Sequence, residues 1–393
     1  MKILFWMFIG FDRHATSEHL LSAVIEQLCR AGHSVHILQK DTGGDLPAIP
    51  GKLSGYPVTT DAIPYRAADK GNFIARYLTE LKYVEACGKY IAPGFDAVFI
   101  QSNNVAGFAL RTVRRKLPEA AVTFNVQDIF PYNLTFSGGL KRGSHVFKAL
   151  AAVQRYGYRH ADRIITISED MRDTLIADGT PARKVEVVYN WSYQDQPYRD
   201  LDLAPVRGML GTDRFNVVYA GNIGVMQNVD VVIEAARLMR DDPSVHFHII
   251  GNGVYKEKLE NRVGEYGLGN VSFWPMQPAE TAPLIYSAAD VNVIPLVKNV
   301  YKTALPSKTA TCLACGRPVV FAIGKESRFG RRIAEEAGCP VIEPDDPAAL
   351  AGEIRRIRRD GQQNGADRFF LRYCGITKNS GRYAEIITES DGR

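Results

Sequence analysis

Two stretches of this chain combine residue types that handle phosphate. Phe215 to Gln227, FNVVYAGNIGVMQ, is an apolar run of strand type that breaks at Gly221, Asn222, Ile223 and Gly224 and then enters a helical pattern rich in Val, Ile and Ala. A strand, a small-residue turn and a helix start leave backbone N–H groups and the positive end of a helix dipole where an anion can rest. Leu305 to Val320, LPSKTATCLACGRPVV, supplies a second start at Pro306, Ser307 and Lys308, with a cation and a hydroxyl beside the free amides. Two phosphate-type cradles in one half of a chain predict a diphosphate ligand.

Further candidates follow strand-like runs in the first half. Asp12, Arg13 and His14 come just after the first run, and Asp128, within Gln127-Asp128-Ile129-Phe130-Pro131, after another. Carboxyl ends of parallel strands are where such sheets place function. His14 can steady a phosphate or a hydroxyl, or it and Arg13 can cap the following helix. Asp128 can orient or deprotonate an acceptor hydroxyl, or bond to its own turn backbone. Ser168-Glu169-Asp170 reads as an ordinary helix start. Cys312 and Cys315 form a C-x-x-C without a second pair, and small side chains on a helix packed against its sheet explain it more simply than zinc.

The elements that must position these residues alternate from end to end, strand then helix, which predicts parallel sheets with crossover helices. In the first half the strand runs are residues 2–9, 34–38, 96–101, 121–126, 163–167 and 185–189. In the second they are 215–220, 245–250, 271–274, 291–295, 318–322 and 340–342. Residues 190–210, polar, aromatic and proline-bearing, read as a linker. The expected organisation is a Rossmann-like domain over 1–200, a second over 201–370, and a helix over 371–393 that crosses back onto the first. Two doubly wound domains of this kind are expected to face each other across a ligand cleft.

Composition excludes several classes. With 393 residues, 46% hydrophobic and 23% charged, the chain reads as a folded soluble protein with little disorder. A net charge of +5 is too mild for a nucleic-acid reader. The opening run is halted by Asp12 with no cleavage site after it, and no stretch is long enough to span a bilayer. Six cysteines without disulfide spacing point to the cytoplasm. One basic cluster, Lys141 to Arg163, interleaves Lys141, Arg142, Lys148, Arg155, Arg159 and Arg163 with apolar and aromatic residues. It fits either a helix resting on anionic lipid at the inner membrane face or a solvated helix whose apolar stripe faces the core.

The order of motifs along the chain resembles that of GT-B glycosyltransferases, specifically the family 4 type that assembles bacterial surface polysaccharide. The matching pieces are LCRAGHSVHIL at 28–38, VQDIFPYN at 126–133, YRHADRIITISEDMRDTLI at 158–176, KVEVVYN at 184–190, YAGNIGVMQNVDVVIEAA at 219–236, FHIIGNGVYKEKLE at 247–260, VSFWPMQPAETAPLIYSAADVNVIPL at 271–296 and PSKTATCLACGRPVV at 306–320. The resemblance implies a nucleotide-sugar donor, UDP-linked in the commonest case, on the C-terminal domain. It implies a glycan or polyprenyl-linked acceptor on the N-terminal domain, retention of anomeric configuration, and no metal or other cofactor.

Carried onto this sequence, Gly221, Asn222, Gly224 and Gln227 approach the diphosphate. Gly251, Asn252 and Gly253 turn at the nucleotide rim, Phe273 to Gln277 with Met276 lie beside the base, and Ser307 and Lys308 meet the phosphates. The chain also departs from the family. Arg and Lys often follow the glycine turn where Asn222 and Gln227 stand here, leaving cationic duty to Lys308 with Lys298 or Lys302. The usual Glu-x7-Glu falls on Thr303 and Thr311, which hydrogen-bond hydroxyls without charge. A GT-B nucleotide-sugar 2-epimerase or hydrolase and a non-catalytic nucleotide-sugar-binding scaffold are the alternative functions.

Overall fold

Runs such as Ile3 to Trp6 and Ala97 to Gln101 bury every side chain, because a parallel sheet is covered by helices on both faces. The computed structural model describes the whole chain except residues 12–17, 44–48, 69–72, 137, 362–364 and 390–393. It divides into one unit made of Met1–Tyr189 with Ile376–Arg393 and another made of Asn190–Gly375.

Among the described residues the first unit holds seven strands: β1 (Lys2–Trp6), β2 (Ser34–Asp41), β3 (Val58–Pro64), β4 (Ala97–Gln101), β5 (Ala121–Val126), β6 (Arg163–Thr166) and β7 (Val185–Val187). All pair in parallel, in the order β3-β2-β1-β4-β5-β6-β7. The first strand is shorter than its apolar run predicts. Phe8 and Phe11 leave the sheet, and their amides donate to Gln101 Oε1 (2.8 Å) and Gln39 Oε1 (2.9 Å). Strand β3 escapes prediction because it is an edge strand with only Ile63 buried, so VTTDAIP carries no apolar signature. Helix Ile376–Thr388 packs within this unit, with Tyr383 donating to Asn125 Oδ1 (3.2 Å) and Asn379 to the Tyr189 carbonyl (2.8 Å).

The second unit holds β8 (Phe215–Ala220), β9 (Val245–Ile250), β10 (Val271–Trp274), β11 (Val291–Pro295), β12 (Val319–Ala322) and β13 (Val341–Ile342), parallel in the order β10-β9-β8-β11-β12-β13. Residues 190–210 are not a free linker. Trp191 and Ser192 are buried in this unit, and residues Ala204–Leu210 form a helix with Pro205 in its first turn, where a missing N–H costs nothing. Helix Ala366–Tyr373, also unpredicted, buries Phe369 and Phe370.

The basic cluster at Lys141 to Arg163 forms helix His145–His160, capped by the Ser144 hydroxyl, which accepts from the Phe147 amide (3.2 Å). Phe147, Leu150 and Tyr158 face the protein, and Arg155 and Arg163 pair with Asp178 (3.4 Å) and Glu389 (3.7 Å). Lys141, Arg142, Lys148 and Arg159 stay exposed. Phe147, Leu150 and Tyr158 of the apolar stripe therefore serve the core, while Val146 is exposed beside the outward charges. Among the described residues, no helix is long and apolar enough to cross a membrane.

Candidate functional site

In the second unit the strand order reverses between β8 and β11, and a crevice opens at such a switch point outside the carboxyl ends of the strands. The loop after β8 is the glycine turn. The loop after β11 carries Lys298, Lys302, Pro306, Ser307 and Lys308, and the two are tied by Val297 donating to the Met226 carbonyl (3.0 Å). The topology thus brings together the two stretches that the sequence singled out.

Their details differ from a simple strand-to-helix cradle. The Gly221 amide donates to the Ile250 carbonyl (2.8 Å) and that of Ile223 to the Asn252 carbonyl (2.9 Å), which leaves those of Asn222 and Gly224 without an acceptor among the described residues. A single 3₁₀ turn, Val225–Gln227, follows, then Asn228 at φ 46°. Helix Asp230–Leu238 starts only after this detour, and Asp230 in its first turn pairs with Arg262. The positive end of that helix is therefore answered by a carboxylate. Asn222 Nδ2 donates to Gln227 Oε1 (3.1 Å), so these two residues brace the turn across Gly224.

The loop after β9 presses against the glycine turn. Gly251 has φ 149°, and a Cβ there would lie 1.8 Å from the Gly221 carbonyl oxygen. Gly253 lies as closely against Ile223, whose carbonyl accepts from Tyr255 (3.1 Å). Gly251 and Gly253 thus have a packing role, while Asn252 is exposed beside them. Met276, in the loop after β10, is 48% exposed, and the Gly251 amide bonded to the Trp274 carbonyl (3.0 Å) holds that loop alongside.

Lys308 opens the short helix Lys308–Ala314. Its Nζ is buried, has no hydrogen-bond partner among the described residues, and lies 3.8 Å from the centroid of the Tyr219 ring. Gly221 is open to it: a Cβ at that position would stand 2.7 Å from Nζ. Burial pushes the ammonium down to about 8, so it stays mostly charged at neutral pH. A buried cation without an acceptor, beside the glycine turn, is an arrangement that can receive an anion.

The remaining candidates separate. Lys298 and Lys302 are exposed, as is Ser307, which makes no side-chain cap bond. The Thr303 hydroxyl donates to the Val300 carbonyl (3.1 Å), and that of Thr311 lies 3.2 Å from the Ser192 hydroxyl. Both are therefore engaged within the protein. Cys312 and Cys315 are free and buried, with Cys315 pushed up to about 12 by burial.

In the first unit, Ser168 caps helix Glu169–Ala177 by accepting from the Met171 amide (3.2 Å). Asp128 is half-buried after β5, has no partner among the described residues, and is pushed up by burial to about 6. Asp12, Arg13 and His14 lie outside the described residues. Sequence reasoning missed Tyr219. Its signal was an aromatic residue two positions before the glycine turn, on the face of β8 that meets Lys308.

Two family models match the chain: a glycosyl transferase 4-like domain over residues 18–191 and a glycosyl transferases group 1 domain over residues 214–360. The chain belongs to the GT-B glycosyltransferases of the family 4 type. It is 30% identical over 248 residues to a protein named as a colanic acid biosynthesis glycosyl transferase, WcaI of Escherichia coli (strain K12), covering 61% of each chain. It is 25% identical over 240 residues to a protein named as a glycosyltransferase, WbjE of Pseudomonas aeruginosa, covering 59% of this chain and 58% of that one. The matched region thus spans about six tenths of the length of these curated relatives. In fold, it is similar to Anabaena Alr3699/HepE in complex with UDP and glucose, with TM-score 0.72 at 16% identity over 99% of this chain and 100% of that one. It is also similar to WaaG, a glycosyltransferase involved in lipopolysaccharide biosynthesis, with TM-score 0.70 at 14% identity and the same coverage.

Proposed function

We propose that this protein transfers a sugar from a nucleoside-diphosphate donor, UDP-linked, to a glycan or polyprenyl-linked glycan acceptor in surface polysaccharide synthesis, with retention of configuration. The observation that carries the reading is the buried, unpartnered ammonium of Lys308 beside the glycine turn. In the step, the bond between the anomeric carbon and the diphosphate oxygen breaks and its electron pair leaves with the diphosphate. The acceptor oxygen bonds to that carbon, and its proton passes to Asp128 and then to solvent. Lys308 and the amides of Asn222 and Gly224 stabilise the diphosphate more as its charge grows, so no metal ion is required. Support for the donor comes from the neighbouring fold solved with UDP, and for the pathway from the relative named for colanic acid biosynthesis.

The exposed Lys141, Arg142, Lys148 and Arg159 fit an electrostatic contact with anionic lipid at the inner membrane face, with Val146 exposed among them. The test is incubation with a panel of nucleotide sugars in EDTA, with and without lipid-linked acceptor extract. Acceptor-dependent release of nucleotide supports transfer. A changed sugar without acceptor would replace this reading with the 2-epimerase, hydrolysis without acceptor with the hydrolase, and binding without turnover with the scaffold.

A further inference from the structure

We infer that Tyr219 is the positioning residue for Lys308, its ring face holding the ammonium beside the glycine turn before any donor arrives; this deepens the proposed diphosphate site and rests on that reading for its role in transfer. Tyr219 is the penultimate residue of β8 and is fully enclosed, and its hydroxyl donates to the carbonyl of Asn222. One rigid side chain therefore touches both halves of the cradle: the hydroxyl fixes the turn, and the ring lies 3.8 Å from Nζ.

A lysine has a flexible four-carbon stem, and a buried ammonium without an acceptor is driven to swing out to water. The negative face of the ring is what opposes this, and such contacts strengthen when desolvated. No carboxylate competes for Nζ among the described residues. The titratable groups around it are Tyr219 itself and Cys312 on its own helix, with Tyr286 beyond them donating to the Ala220 carbonyl (3.2 Å). Burial pushes all three upward, so they are neutral at physiological pH. Among the described residues, the ring face is thus the contact that favours the charged form and its place.

The experiment reads Lys308 in the free full-length protein, by NMR titration of 13C-labelled lysine, with the signal assigned by its loss in Lys308→Met. Tyr219→Phe keeps the ring and should leave the titration midpoint within about 0.3 of a pH unit, whereas Tyr219→Leu should lower it by about one unit. Because Leu changes shape, a second series places mono-, di- and trifluorophenylalanine at position 219. Fluorine empties the ring face at nearly constant volume, and the midpoint should fall stepwise. A midpoint unmoved by fluorination overturns the inference. UDP affinity of the same variants at pH 8 should fall in the same order, about tenfold across the series. Wild-type protein that binds no UDP would defeat the diphosphate reading while leaving the titration result standing by itself.

Discussion

The hydroxyls of Thr311 and Ser192 lie 3.2 Å apart inside the second unit, and Ser192 lies 3.2 Å from the hydroxyl of Tyr198 as well. Family resemblance puts a carboxylate at position 311, and this chain has instead closed the position with a hydroxyl chain of its own. Thr311→Val removes one member of that chain at constant volume. It should cost about 1 kcal/mol of stability, the net value of a buried hydrogen bond, and change UDP affinity less than twofold. Denaturant unfolding and calorimetric titration check both halves. A tenfold loss of UDP affinity would show that the Thr311 hydroxyl turns to the ligand.

Gly251 and Gly267 both have positive φ, at 149° and 61°, but only Gly251 faces backbone at contact distance. Gly267→Ala should cost about 1 kcal/mol from strain alone, whereas Gly251→Ala must push the two loops apart and should cost about 3 kcal/mol or more. UDP affinity should survive in the first variant and fall at least tenfold in the second. Equal effects of the two substitutions would mean that the loop contact is not what shapes the cradle.

Asp128 gives a pH signature. Its carboxyl is raised by burial from 3.8 to about 6, so the folded protein holds more protons than the unfolded chain between those values. Stability therefore falls as pH rises through that window, while the transfer step gains its base and turnover rises through about pH 6. Asp128→Asn should flatten both slopes, lower turnover at least a hundredfold, and melt no earlier than wild type at pH 7.5. A variant with the wild-type acidic limb would assign that limb to another group.

Most of the architecture was legible because parallel strands buried on both faces write themselves as apolar runs, as in ILFW of β1 and VVFA of β12. What escaped lacked that pattern: β3 is an edge with a single buried residue, and helix Ala366–Tyr373 is only eight residues long. The glycines and Lys308 could be picked out by type and spacing. Which amides stay free could not, because Gly221 and Ile223 donate theirs to Ile250 and Asn252, at the end of β9 and in the loop after it. The placing of Lys308 over Tyr219 joins residues 89 positions apart, which no local spacing reveals.

Lys308 is the centre of the proposed diphosphate site, and UDP titration of wild type and Lys308→Met in EDTA between pH 6.5 and 9.5 tests its role directly. The ammonium is depressed from 10.5 to about 8, so the unfolded chain holds the extra proton between those values. The burial penalty is full below about pH 8 and is relieved above it, while UDP affinity fades as the charge is lost. Lys308→Met should therefore melt at or above the wild-type temperature at pH 7. It should also bind UDP at least tenfold more weakly there, with no pH dependence near 8. Wild-type affinity in Lys308→Met, or UDP binding by the wild type that vanishes in EDTA, would contradict the account.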